Sequence, residues 1–378
     1  MSVLISPQWL RTGREVFPAM LAAIHEARIS VRLETYIYSD GDVGCRFRDA
    51  LIAAARRGVR VSVLVDALGS WLLAGDYFAA LVAAGGNVRR FNPLRFWRFG
   101  VRDHRKLLVC DDRTAFAGGF NLADEYDGDG VTCGWCDLGF RVDNAELVAE
   151  LGASFDKLFA LADFRRRPLL RLRAFRHRRN SRVLPARVSL WSRPGNQGSP
   201  LYSALHHDLV RARDVRIMTA YFLPTRKLRR DLLRAVRKGG RVQLILAGKS
   251  DVLLAQLAGR NLYRRLLAAG VEIYEYQPQI LHAKLMVVDQ VAYAGSANFD
   301  VRSLKLNYEL MLRLEHRASV ASARKIFDET LRHCRKLDLA HWRATQSAWQ
   351  RWQQRWAYFL LARLDVFCAL RQFRAVGK

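Results

Sequence analysis

Short apolar runs rich in branched and aromatic residues alternate along this chain with stretches of helical period. Residues 31–38 (VRLETYIY) have the composition of a strand. Phe47 to Arg57 predicts a helix that stops at Gly58, and residues 59–66 (VRVSVLVD) predict the next strand. The order then recurs in the second half. Val215 to Pro224 reads as a strand, Leu228 to Lys238 as a helix stopped by Gly239 and Gly240, and Arg241 to Ala247 as a strand. Each half adds another helix and strand, Tyr77–Gly85 with Val88–Phe91 and Leu253–Gly270 with Val271–Tyr276. Strand–helix–strand units of this length predict an α/β layer structure with parallel pairing.

Each half ends its series on the same pattern. The first is His104, Lys106 and Asp111, followed by Gly118, Gly119 and Asn121; the second is His282, Lys284 and Asp289, followed by Gly295, Ser296 and Asn298. The two histidines stand 178 residues apart, one domain length, which predicts an internal duplication. The expected organisation is a first lobe over 1–162, an Arg-rich linker over 163–187, a second lobe over 188–338 and a helical tail over 339–378. In the tail Trp342, Trp349, Trp352, Trp356, Leu360, Leu364 and Phe367 recur at helical spacing, interleaved with Arg351, Arg355, Arg363 and Arg371. That stripe suits a helix packed on the core or one lying in a bilayer interface.

Composition changes the picture through charge. The 378 residues hold 62 Lys plus Arg against 35 Asp plus Glu, a net charge of +27. Such a field attracts polyanions, whether nucleic acid or anionic lipid. The six cysteines lack the spacing of a disulfide framework. Cys133 and Cys136 have no second pair to complete a zinc site, so both read as inert thiols of a reducing compartment. The N-terminal residues lack the pattern of a secretory signal, and no apolar run reaches the roughly 18 residues of a spanning helix.

Residues i and i+2 of a strand share a face, so each His and its Lys are expected to point into one site. Gly119 and Ser296 let backbone N–H groups approach an anionic oxygen. Phosphodiester exchange needs a nucleophile, an acid for the leaving alkoxide, and fixed positive charge with hydrogen bonds at the non-bridging oxygens. Two imidazoles can divide the first two tasks. Lys106, Lys284, Asn121 and Asn298 can meet the third. Each ring also calls for an orienting carboxylate, and Asp137 and Glu309 are the candidates.

The paired motifs resemble the HKD signature of the phospholipase D superfamily. Within it the chain is similar to bacterial cardiolipin synthases of the short type without N-terminal membrane helices, through residues 33–38, 102–106, 118–126, 219–224 and 298–303. The resemblance covers all but the linker and tail. It implies two α/β/α lobes forming a pseudo-dimer around one site, with no metal or other cofactor. It implies His104 as nucleophile and His282 as acid and base, with Asp111 and Asp289 bracing their turns. Gly119 departs from the serine common at that position and removes a hydroxyl from the first half-site. The expected reaction is phosphatidyl transfer, with phosphatidylglycerol or a similar phospholipid as substrate. The expected location is peripheral, on an anionic membrane at the cytoplasmic face of the cell. The alternatives are a phospholipase D-type hydrolase, a nuclease of the same superfamily, or a non-catalytic basic scaffold binding membrane or nucleic acid.

Overall fold

The computed structural model describes residues 6–93, 101–162, 189–192 and 200–365. The Arg-rich linker expected over 163–187 and the end of the tail lie outside these residues. Two mixed sheets with the same plan form the two lobes. The first contains β1 (Gln8–Leu10), β2 (Ser30–Thr35), β3 (Arg60–Asp66), β4 (Asn87–Phe91), β5 (Leu107–Cys110), β6 (Thr114–Gly118) and β7 (Gly139–Val142), in the order β1-β7-β6-β5-β2-β3-β4. The second contains β8 (Ser189–Ser192), β9 (Asp214–Thr219), β10 (Arg241–Ala247), β11 (Glu272–Tyr276), β12 (Leu285–Val288), β13 (Val291–Gly295), β14 (Glu309–Leu314) and β15 (Cys334–Lys336), in the order β15-β11-β10-β9-β12-β13-β14-β8. Apart from the edge strand β15, every strand of one lobe has its counterpart in the other.

Parallel pairing holds for β2-β3-β4 and β9-β10-β11, where helices supply the crossovers. The remaining strands pair antiparallel, because the motif strands return through tight hairpins. Asp111 and Asp112 turn the first hairpin at φ +55° and +52°, and Asp289 turns the second at φ +45°. Asp is among the few side chains that tolerate this left-handed conformation. Helices Gly13–Glu26 and Asp42–Arg56 cover one face of the first sheet, over a core of Phe17, Phe47, Val63 and Leu108. The opposite faces of both sheets feed a single core holding Val109, Phe140 and Phe155 of the first lobe and Leu285, Leu312 and Phe327 of the second. The lobes are thereby locked together.

Some local expectations are adjusted. The stretch 253–270 is two helices, Leu253–Arg260 and Tyr263–Ala268. The tail is also two helices, Leu339–Thr345 and Ala348–Phe359, before a π-type turn at Leu360–Asp365. Its tryptophans divide: Trp342 is buried beside Tyr263, whereas Trp349, Trp352 and Trp356 face outward.

Candidate active site

Neither His-x-Lys pair sits inside a strand. Each forms the extended entrance to one, β5 or β12, and is pinned there by the other lobe. The His104 N–H donates to Tyr308 O at 3.0 Å, and the Tyr308 N–H donates to Arg102 O at 2.8 Å. The counterpart has the His282 N–H donating to Cys136 O at 2.7 Å and the Cys136 N–H donating to Ile280 O at 2.9 Å. The residue after each pinning point is a carboxylate. The orienting partners therefore cross between lobes: Glu309 Oε2 lies 3.0 Å from His104 Nδ1, and Asp137 Oδ2 lies 2.5 Å from His282 Nδ1. The carboxylate nearest in sequence serves neither ring.

A glycine enforces this approach in each lobe. Gly118 has φ +153°, and a Cβ there would lie 2.5 Å from Gly139 Cα; Gly295 has φ +157°, and a Cβ would lie 2.1 Å from Leu310 O. Only glycine lets β6 and β13 come this close to their neighbours. The next residues differ between lobes for a steric reason. Ser296 Oγ donates to Glu309 Oε2 at 2.6 Å and accepts the Leu310 N–H at 3.0 Å. In the first lobe Asp137 Oδ1 itself accepts the corresponding N–H, from Leu138, at 2.7 Å. A Cβ on residue 119 would fall 2.0 Å from that oxygen. Gly119 thus makes room for the shorter carboxylate as well as omitting a hydroxyl.

His104 Nδ1 also meets Ser296 O at 3.1 Å. A carbonyl only accepts, so Nδ1 carries the proton and Nε2 keeps its lone pair. Among the described residues nothing occupies that Nε2, and Tyr36 lies beside the ring at 5.0 Å between centroids. His282 is more enclosed: Tyr126 Oη lies 3.5 Å from its Nε2, and Tyr126 and Trp135 flank the ring. Asn121 Nδ2 donates to Tyr126 Oη at 2.6 Å, while its Oδ1 accepts the Ile37 N–H at 3.1 Å. Asn298 Oδ1 accepts from Thr219 Oγ1 at 3.3 Å. Lys106 Nζ donates to His104 O at 2.7 Å, and Lys284 Nζ donates to His282 O. Both aspartates of the motifs are remote from the rings. Asp111 accepts the N–H groups of Arg28, Ile29 and Ser30, each at 2.8 Å, and Asp289 accepts those of Arg213 and Asp214.

Burial governs the electrostatics. It holds His104 well below its ordinary value, reinforced by Lys106 and Lys284. It lowers His282 to about 4, with Lys284 adding and Asp137 opposing. Burial also lowers Lys106 to about 7 and Lys284 to about 8, against the pull of Glu309 and Asp137. The two carboxylates part company. Burial raises Glu309 to about 7. Asp137 is equally buried, yet the His282 and Lys284 charges and its hydrogen bonds hold it below the usual carboxylate range. Two neutral imidazoles and two easily tuned ammonium groups converge on one space, an arrangement suited to an anion bearing a transferable group.

Sequence reasoning passed over Tyr36, Tyr126 and Trp135 as site-lining residues. It also missed a buried ionic cluster behind His104. Arg105 Nη2 donates to Glu34 Oε2 at 2.8 Å, Arg102 Nη1 lies 3.5 Å from Asp66 Oδ1, and the Asp103 N–H donates to Asp66 Oδ2 at 2.9 Å. Strand register places Met218, Ala247, Ile280, Leu281 and Ala283 at the corresponding positions of the second lobe.

Comparison with known proteins finds relatives over most of the chain. The family model described as "Cardiolipin synthase, PLD-like domain" matches residues 20–159 and 207–331. Cardiolipin synthase 1 of Bacillus anthracis is 30% identical over 358 residues, covering 92% of this chain and 68% of that protein. Cardiolipin synthase B of Escherichia coli K12 is 33% identical over 334 residues, covering 86% of this chain and 78% of its own length. Among solved structures, phosphatidylserine synthase of Haemophilus influenzae superposes with a TM-score of 0.75 at 16% identity, covering 97% of this chain and 96% of its own, a likeness of fold.

Proposed function

The chain belongs to the phospholipase D-like cardiolipin synthase family, and from that membership we propose that it transfers a phosphatidyl group between phospholipids through a phospho-histidine. The observation that carries this reading is the pair of crossed His–carboxylate dyads, with Lys106 and Lys284 beside them.

His104 is the nucleophile. Its Nε2 attacks phosphorus, a P–N bond forms, and the P–O bond to the leaving alcohol breaks. Glu309 and Ser296 O hold the ring by Nδ1. His282 protonates the departing oxygen; the ionised Asp137 behind it stabilises the imidazolium this step requires. An incoming phosphodiester anion favours that protonation by bringing negative charge beside both rings. In the second half-reaction neutral His282 takes the proton of the acceptor hydroxyl, whose oxygen attacks phosphorus and releases His104. Lys106 and Lys284 neutralise the non-bridging oxygens, and Asn121 and Asn298 donate hydrogen bonds to them. Acid–base help contributes on the order of 10²–10⁴-fold, leaving the larger share to charge and positioning.

The donor and acceptor in this reading are phosphatidylglycerol or a similar phospholipid. The protein works peripherally on an anionic membrane at the cytoplasmic face, a placement supported by its net charge of +27 and by the unpaired thiols among the described residues. Incubation with labelled phosphatidylglycerol is expected to yield cardiolipin and glycerol. Phosphatidic acid as the sole lipid product would replace the transferase with a hydrolase. His104→Ala is expected to abolish the acid-labile phospho-enzyme. Should the phospho-enzyme survive there and vanish with His282→Ala, the two roles are exchanged.

A further inference from the structure

Helix Ala348–Phe359 is amphipathic, but its aromatic stripe faces away from the protein. Gln354 and Ala357 form its buried side, against helix Leu253–Arg260 and in a small cluster with Leu223 and Ala258. On the outer side Trp349, Trp352, Trp356 and Phe359 are 51–62% exposed. The indoles are aligned. Trp349 and Trp352 stack at 4.7 Å with 12° between planes, and Trp352 and Trp356 at 6.4 Å with 18°. A capping box at Ser347 and Gln350 fixes the start of the helix. Trp342, one helix earlier, is buried against Tyr263, so tryptophan in this region does not face water for lack of a core site. Three parallel indoles held in water by a rigid helix constitute an apolar patch that calls for a partner.

The chemistry beside the stripe says which partner. Arg351 and Arg355 are exposed between the indoles, and the helix contains no acidic residue. A second copy of this chain would bring a surface of the same sign, from a molecule carrying +27. A partner with negative charge and an apolar layer beneath it satisfies both halves of the pattern. Indole at the headgroup level with arginine alongside is the composition of a helix lying in a bilayer interface.

Position adds a third argument. The helix rests on Leu223, in the segment that leaves β9, and β9 ends at Thr219, which holds Asn298. Val252 and Leu253 are exposed at the start of the helix beneath it; in the first lobe Trp71 and Leu72 are exposed in the loop after β3, next to Ser70, which bonds the Tyr36 carbonyl. Segments leaving the C-terminal ends of the parallel strands thus present apolar tips in both lobes, at the ends that deliver Tyr36 and Thr219 to the site.

We propose that the outward face of Ala348–Phe359 is a docking surface for an anionic phospholipid bilayer, seating the mouth of the active site on the headgroup layer. The proposal rests on the reading of phospholipid as substrate and adds the surface by which the protein reaches it.

The test uses the full chain and sedimentation with phosphatidylglycerol–phosphatidylcholine vesicles, comparing wild type with W349S/W352S/W356S and with R351Q/R355Q. These side chains lie outside the catalytic machinery. Turnover of a short-chain phosphatidylglycerol dispersed as monomers reports on the site separately. The tryptophan variant is expected to lose at least about tenfold in vesicle partitioning. Its turnover on vesicles should fall in proportion, while turnover of the dispersed substrate is kept. The arginine variant is expected to show a weakened preference for anionic over phosphatidylcholine-only vesicles. Wild-type partitioning in the tryptophan variant overturns the docking surface. So does a change from dimer to monomer in light scattering with vesicle binding intact, which assigns the stripe to a second copy. Selective loss of single-stranded DNA binding overturns it likewise, by assigning the stripe to base stacking. If no form turns over the dispersed substrate, the phosphatidyl-transfer reading fails, and the partitioning result still decides the surface.

Discussion

At the scale of single residues the duplication has produced unequal halves. Behind His104 the first lobe buries Glu34, Asp66, Arg102, Asp103 and Arg105; behind His282 the second lobe buries uncharged Met218, Ala247, Leu281 and Ala283 at the same register. A buried ion cluster adds little net stability, yet it fixes its neighbours in one geometry. The catalytic groups themselves carry shifts that set a pH dependence. In the proposed mechanism neutral His104 attacks phosphorus and both lysines act as cations. His104 and His282 lie below their ordinary value, so protonation removes the nucleophile only well into acid. Lys106 at about 7 and Lys284 at about 8 lose their charge as pH rises. For the free enzyme, kcat/KM against dispersed substrate is expected to fall as pH rises from about 7 to above 8. Lys106→Arg should move the alkaline limb upward, because the guanidinium keeps its proton. A profile that instead rises from pH 7 to 9 would remove the lysines from the role of fixed cations.

At the scale of elements, the motif aspartates sit at the hairpins, where their carboxylates accept backbone N–H groups away from the rings. Asp111 closes β5–β6 onto the start of β2, and Asp289 closes β12–β13 onto the start of β9. Burial alone would raise Asp111, but the three N–H groups it accepts hold it lower. Removing a capping acceptor of this kind costs about 1 kcal/mol. Asp111→Ala and Asp289→Ala are each expected to lower unfolding free energy by more than that in a denaturant titration, because alanine also tolerates the left-handed turn conformation less well. Turnover of the folded variants should stay within about threefold of wild type, since neither carboxylate reaches the rings. A loss of 10²-fold or more at unchanged stability would move these residues into the catalytic set. The same elements mark how far sequence could be read. Residues 31–38 announced their strand by branched and aromatic composition, and 59–66 and 241–247 by apolar runs that start directly after a glycine. The short strands β1, β7, β8 and β15 carried no such signal, being defined by partners distant in the chain. Both histidines and both orienting carboxylates were legible as residues. Their pairing was not, because proximity in sequence favours a partner in the same half and the fold places the partner in the other.

That crossing makes the site a property of the whole molecule. His104 is held by the backbone of Tyr308 and the carboxylate of Glu309; His282 is held by Cys136 and Asp137. The lobes share one apolar core, and further links such as Tyr276 Oη to Gly130 O at 2.5 Å keep the second lobe in register with the first. A carboxylate variant should therefore show its defect on the ring of the opposite lobe. In the proposed mechanism the two rings perform different steps, so a substrate's leaving group separates them. A phosphodiester of p-nitrophenol needs no acid for departure, whereas one of an aliphatic alcohol does. Glu309→Gln is expected to slow phospho-enzyme formation from both substrates, by on the order of 10²–10⁴-fold, because it misorients the nucleophile. Asp137→Asn is expected to lose a similar factor with the alcohol ester but to keep a nearly normal p-nitrophenol burst, because only the acid is impaired. If each carboxylate served the histidine of its own lobe, the two patterns would exchange. Locating the phospho-enzyme on His104 or His282 in the same preparations separates that outcome from an exchange of the histidines' roles.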